Sequence, residues 1–168
     1  MLKIAIIIIS LILDGIFSNI LPYIPGNLSI FTPLLTLVSI IIIYPLYKKK
    51  EKDYLVTCFL TGIIYDLLYT NLLFFNGLLF TLLGLIIIFS IKNFGISYIK
   101  LLLYVIAVIT IYEISNALII IIFNLVPITF NDLIYKIIHS LLLNVIYAEL
   151  LLLIVNLLPK RFKKIDIN

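Results

Sequence analysis

Four carboxylates stand inside long apolar stretches of this sequence, and they are the residues best placed to do chemistry: Asp14, Asp66, Glu113 and Glu149. An acid near the centre of a membrane span costs about 2.5 to 3.5 kcal/mol on insertion scales, so each needs a partner or a task. Counted from the nearest charge on the lysine-rich side (Lys3, Asp53, Lys100 and Lys160), they lie 11, 13, 13 and 11 residues in. At helical rise that is roughly 16 to 20 Å. The spacing predicts one layer of acids contributed by four helices, with no lysine or arginine at the same depth. Each acid also belongs to a stripe at helical spacing: Ser10, Asp14 and Ser18; Cys58, Gly62 and Asp66; Thr110, Glu113 and Asn116; and Glu149 seven before Asn156. Polar stripes face a bundle interior or a partner rather than lipid. Three uses are open: neutral acids hydrogen-bonded to Asn116, Asn144, Tyr112 or Tyr147, a docking surface for a partner's transmembrane helix, or a cation or proton pathway.

Other chemistry is hard to assemble from this chain. Cys58 is the single cysteine and His139 the single histidine, so neither a metal-ligand cluster nor a catalytic triad can be built. His139 falls near the outer end of its helix, with Lys136 one turn away, and Asp132 is spaced to pair with Lys136. There is no Gly-rich phosphate loop, no HExxH and no acidic cluster for magnesium, so an enzyme is disfavoured and no cofactor is expected.

The elements that must position these residues follow from composition. Of 168 residues 64% are hydrophobic and 12% charged, against about 25% charged in an ordinary soluble domain. With a mean hydropathy of +1.31, the chain reads as a polytopic membrane protein in one transmembrane domain, residues 1–168. Six apolar stretches approach the roughly 20 residues a helix needs to cross a bilayer: Ile4 to Leu21, Ile30 to Tyr47, Tyr54 to Thr70, Gly77 to Ile91, Lys100 to Asn124 and Leu133 to Leu158. Continuous Ile/Leu runs lack the alternation of a β-barrel, so the expected fold class is all-α, a six-transmembrane-helix bundle.

The net charge of +4 belongs to topology, not to nucleic acid. Lys3, Lys48, Lys49, Lys50, Lys52, Lys92, Lys100, Lys160, Arg161, Lys163 and Lys164 fall on one side, and Lys136 is the one cation near the other. That bias predicts cytoplasmic N and C termini. Met1-Leu2-Lys3 followed by Ile4 to Leu13 looks like a signal peptide without a cleavage site, so an uncleaved first helix is expected. The tail from Pro159 to Lys164 reads as a topology anchor that can also touch anionic lipid. The sequon Asn27-Leu28-Ser29 lies too close to the membrane to carry weight. On the fourth stretch Gly77, Thr81 and Gly84 are small residues at three-to-four spacing, which let a second helix approach closely.

The run Phe59-Leu60-Thr61-Gly62-Ile63-Ile64-Tyr65-Asp66-Leu67-Leu68, a short outer turn, and Phe74-Phe75-Asn76-Gly77-Leu78-Leu79-Phe80-Thr81-Leu82-Leu83-Gly84 resembles the bacterial rod shape-determining protein MreD family. Length, span number, basic second loop and basic tail fit the same family, so the resemblance covers most of the chain. Gly62, Asp66 and Gly84 match its pattern directly, while the turn Thr70 to Asn76 lacks the glycine that members often place there. The resemblance implies a non-enzymatic component of the peptidoglycan elongation machinery in the bacterial inner (cytoplasmic) membrane. Its implied partners are MreC, a single-span protein with a large outer domain, and the assembly containing MreB, RodA and a class B penicillin-binding transpeptidase. A partner span is then expected along the small and polar faces of helices three and four, at Gly62, Asp66, Gly77, Thr81 and Gly84. The alternative is a substrate-binding S component of an energy-coupling-factor vitamin transporter, whose architecture the family is thought to share. Its Ala-x-x-x-Ala coupling pattern is absent here, because Ala5 is followed by Ile9.

Overall fold

The computed structural model describes residues 2–20, 32–47, 50–70, 74–124 and 129–157. These form α1 (Leu2–Ile20), α2 (Leu35–Ile43), α3 (Glu51–Tyr69), α4 (Phe75–Phe94), α5 (Tyr98–Ile122) and α6 (Phe130–Leu157), with α2 tightening into a 3-10 turn over Tyr44–Tyr47. Pro45 explains that change: it has no N–H to continue the helical ladder, and its ring crowds the preceding turn. The other helix ends are equally local. Gly95, at φ 77°, closes α4 in the left-handed region that glycine enters without strain. The Ser97 hydroxyl accepts the Lys100 N–H (3.3 Å) to open α5. Thr129 and Asp132 cap α6 reciprocally, through Thr129 N–H to the Asp132 carboxylate (3.0 Å) and Asp132 N–H to the Thr129 hydroxyl (3.2 Å).

The chain is all-helical over the described residues and built for lipid. By length and composition, α1, α4, α5 and the Phe130–Asn156 part of α6 can cross a membrane. These four helices are what the structure supports of the six expected spans. Two expected spans depart from the simple pattern for physical reasons. Leu35–Tyr47 is short, about 20 Å from its helical rises against a hydrocarbon core of about 30 Å. Helix α3 is long enough but carries Glu51, Lys52, Asp53 and Asp66. Of the span expected from Ile30, Thr32, Pro33 and Leu34 are not helical and α2 starts only at Leu35, while Ile30 and Phe31 lie outside the described residues, as do the sequon, Lys48, Lys49 and the basic tail.

Every residue of α2 is buried, so this helix is the axis of the molecule, with α1, α4, α5 and α6 packed around it. A helix hydrophobic all round belongs in such a position. The outward residues of the surrounding helices are correspondingly apolar and exposed, among them Ile8 and Ile12 on α1, Leu67 and Leu68 on α3, Leu78 and Leu82 on α4, and Leu142 and Ile146 on α6. α3 and α4 form a hairpin that packs mainly on itself.

Candidate functional site

Helix α2 begins in the interior, where its first N–H groups have no partner within the helix and no water to turn to. Asp14 of α1 supplies the partners. One carboxylate oxygen accepts the Leu35 N–H at 2.7 Å and the other the Thr36 N–H at 2.9 Å, with Asp14 1% exposed. The carboxyl group also meets the positive end of the α2 dipole. Asn144 of α6 completes the arrangement: its Oδ1 accepts the Leu34 N–H (2.8 Å), and its amide nitrogen donates to the carbonyls of Thr32 (2.9 Å) and Ser140 (2.8 Å). Ser10, one turn before Asp14 and equally buried, shares a hydrogen bond of 2.7 Å with the Tyr147 hydroxyl. Side chains from α1 and α6 thus fasten the start of the central helix.

Asp66 does the same work at a second helix start. Its carboxylate accepts the backbone N–H of Asn76 (2.9 Å), the Asn76 side-chain amide (2.7 Å) and the Thr70 hydroxyl (2.8 Å), with the Gly77 N–H farther off at 3.4 Å. The acid ending α3 therefore caps α4 across the hairpin turn. From there the network continues to α5, where the Tyr112 hydroxyl donates to Asn76 Oδ1 at 2.9 Å. Phe80 lies between the rings of Tyr65 and Tyr112 and is fully buried.

The small residues expected to receive a partner are occupied by this chain. A methyl group placed on Gly62 would come within 2.6 Å of Gly77 Cα, and one on Gly84 within 2.9 Å of Cys58 Sγ. Gly77 faces Ile63 and Phe59. Thr81 is half-buried and bonds back to the Gly77 carbonyl (2.7 Å). Glycines permit the close α3–α4 approach, and Gly62, Asp66, Gly77 and Gly84 are buried in or beside that contact. A partner span laid along these faces, as the sequence suggested, would have to displace one helix of the hairpin.

The sequence predicts the four acids in one layer near the middle of their spans, whereas Asp66 lies three residues before the end of α3. Asp14, Asp66 and Glu113 are each 1% exposed or less, and the Asp66–Asn76–Tyr112 bonds place Glu113, next to Tyr112, at the level of the hairpin turn. Glu149 belongs elsewhere: it accepts a short hydrogen bond from the hydroxyl of Tyr98, the first residue of α5, and is half-buried. Counting residues from Lys160 ignored where the neighbouring helix begins. Ser18 is exposed and Asn116 half-buried, so those stripes turn outward at their ends.

The expectation that no cation shares the acids' depth is overturned. Lys136 Nζ lies 3.1 Å from Glu113 Oε2, with side chains 14% and 0% exposed. A lysine stem several ångströms long carries the ammonium away from its backbone position, which residue counting cannot register. Asp132, expected to pair with Lys136, is engaged with Thr129 instead. The His139 ring packs tilted against that of Tyr135, 3.9 Å between ring centres. Sequence reading missed the roles of Asn76, Asn144 and Lys136. Two signals were available: Ser140 and Asn144 are four apart on α6, and a lysine within a span has an acid as its natural partner.

The carboxylates hold helix starts, an ammonium and a phenol, and no group of three or more His, Cys, Asp or Glu among the described residues could hold a metal ion. The family model of rod shape-determining protein MreD matches residues 2–162. The chain belongs to the MreD family. It is accordingly a membrane-embedded, shape-determining protein, and the residues that carried the resemblance, Gly62, Asp66 and Gly84, are those that close the MreD hairpin. No curated protein and no solved structure matches the chain.

Proposed function

We propose that this MreD protein is a non-enzymatic component of the cell-wall elongation machinery in the bacterial cytoplasmic membrane, crossing it six times with both termini inside. It binds MreC and holds it in the assembly with MreB, RodA and a class B penicillin-binding transpeptidase, in support of peptidoglycan synthesis. The observation that carries this reading is the commitment of all four intramembrane acids to partners within the chain. A protein whose intramembrane acids are engaged by its own helices meets its partners through its outward faces. Six crossings are physically reasonable. The charges of α3 stand in its first turn except Asp66, which is buried and saturated with donors. Helix α2 is surrounded by protein and need not match the bilayer itself.

In-cell photocrosslinking tests the reading. A crosslinker at the outward positions Leu60, Leu67, Leu78 or Leu82, all more than half exposed, is expected to capture MreC from at least one site. The inward positions Gly62, Asp66, Gly77 and Gly84 are expected to capture none. Capture from the inward set alone, or from neither set, would overturn it.

A further inference from the structure

We propose that the α3–α4 hairpin moves as a rigid unit against the other four helices, swinging at its Asp66 end and latched there by two tyrosine hydroxyls. The hairpin is internally stiff. Asp66 ties its two helices at the turn, the glycines bring them close along their length, and Lys92 pairs with Glu51 at 2.8 Å at the far end. Its attachment to the rest is sparser. In lipid that matters more than in water, because apolar burial against a neighbouring helix gains little over burial against acyl chains. Packing and hydrogen bonds therefore hold helices together.

Chain connectivity tethers the hairpin at one end only. The chain enters it after Tyr47 and leaves it through Gly95 to Ser97, both at the lysine-rich side. Near that tether the Tyr47 hydroxyl bonds Thr57 (2.9 Å) and the Tyr104 hydroxyl bonds the Gly95 carbonyl (2.9 Å). At the turn end, opposite the tether, no covalent connection joins the hairpin to the other helices. There Tyr112 of α5 donates to Asn76, and Tyr69 of α3 donates to the Leu11 carbonyl of α1, its ring lying against Gly15. A phenol bridging two helices at the membrane level is a reversible latch: strong enough to define a closed position, weak enough to open.

The test uses the full chain in phosphatidylethanolamine/phosphatidylglycerol vesicles, with Cys58→Ser and pairs of spin labels. Leu78 with Leu118 spans the joint between α4 and α5, Leu68 with Leu78 lies within the hairpin, and Leu118 with Ile138 lies within the remainder. All four positions are more than half exposed. Pulsed dipolar spectroscopy is expected to give two distances for the first pair and one narrow distance for each of the others. An intramembrane hydrogen bond averaging about 0.6 kcal/mol predicts that Tyr69→Phe or Tyr112→Phe raises the ratio of longer- to shorter-distance populations about threefold, and the two together about eightfold. A single narrow distance across the joint, equal broadening of all three pairs, or a population unmoved by both substitutions would overturn the proposal.

Discussion

Asp14 is the most informative residue to change, because it works for a helix other than its own. Its two oxygens accept the Leu35 and Thr36 N–H groups at 2.7 and 2.9 Å from a nearly inaccessible position. Asp14→Asn keeps one acceptor and turns an amide NH2 toward the second N–H, leaving one buried donor unsatisfied at about 1 to 3 kcal/mol. Asp14→Ala abandons both donors, about 2 to 6 kcal/mol. The chain carries a convenient reporter of opening: Cys58, its single cysteine, is completely buried. Maleimide labelling of Cys58 during titration of micelles with dodecyl sulfate should give midpoints ordered wild type, then Asp14→Asn, then Asp14→Ala. Asn144→Leu, which strips the acceptor from the Leu34 N–H, should add a further loss. Midpoints unchanged by both Asp14 substitutions, or an Asn variant weaker than the Ala variant, would refute the capping argument.

Two further perturbations address the hairpin and the buried ion pair. Gly62→Ala places a methyl carbon 2.6 Å from Gly77 Cα, and because that neighbour is backbone the helices must separate. A loss of at least about 1 to 3 kcal/mol is expected, with faster Cys58 labelling as the readout. Lys136→Met leaves Glu113 without its cation and should cost about 3 to 5 kcal/mol, whereas Lys136→Met with Glu113→Leu should recover much of the loss. Equal melting of the single and double variants by scanning calorimetry in micelles would show that the pair is not coupled.

The site's construction also shows which parts of it residue spacing could reveal. Asp14, Asp66 and Glu113 are legible as inward-facing because an acid in an apolar run can go nowhere else, and the structure buries all three. What they bind was not legible. Asp66 and Asn76 are close because glycines bring α3 and α4 together, and Glu113 meets Lys136 because α5 and α6 are neighbours of opposite direction. Depth counting failed at Glu149, whose partner Tyr98 is set by the start of a different helix.

Composition and hydropathy alone determined that this chain is helical and lives in a membrane, since unpaired backbone groups are excluded from hydrocarbon whatever the packing. Sequence pattern also marked Gly62, Asp66 and Gly84. Only the tertiary structure decided that α2 is a short, wholly enclosed axis and that two aspartates each cap the helix that follows their own. It also turned the small-residue face from an outer surface into an internal seam. The physical reason is that periodicity defines which side of a helix is unlike lipid, whereas the identity of what covers that side depends on the placement of every other helix.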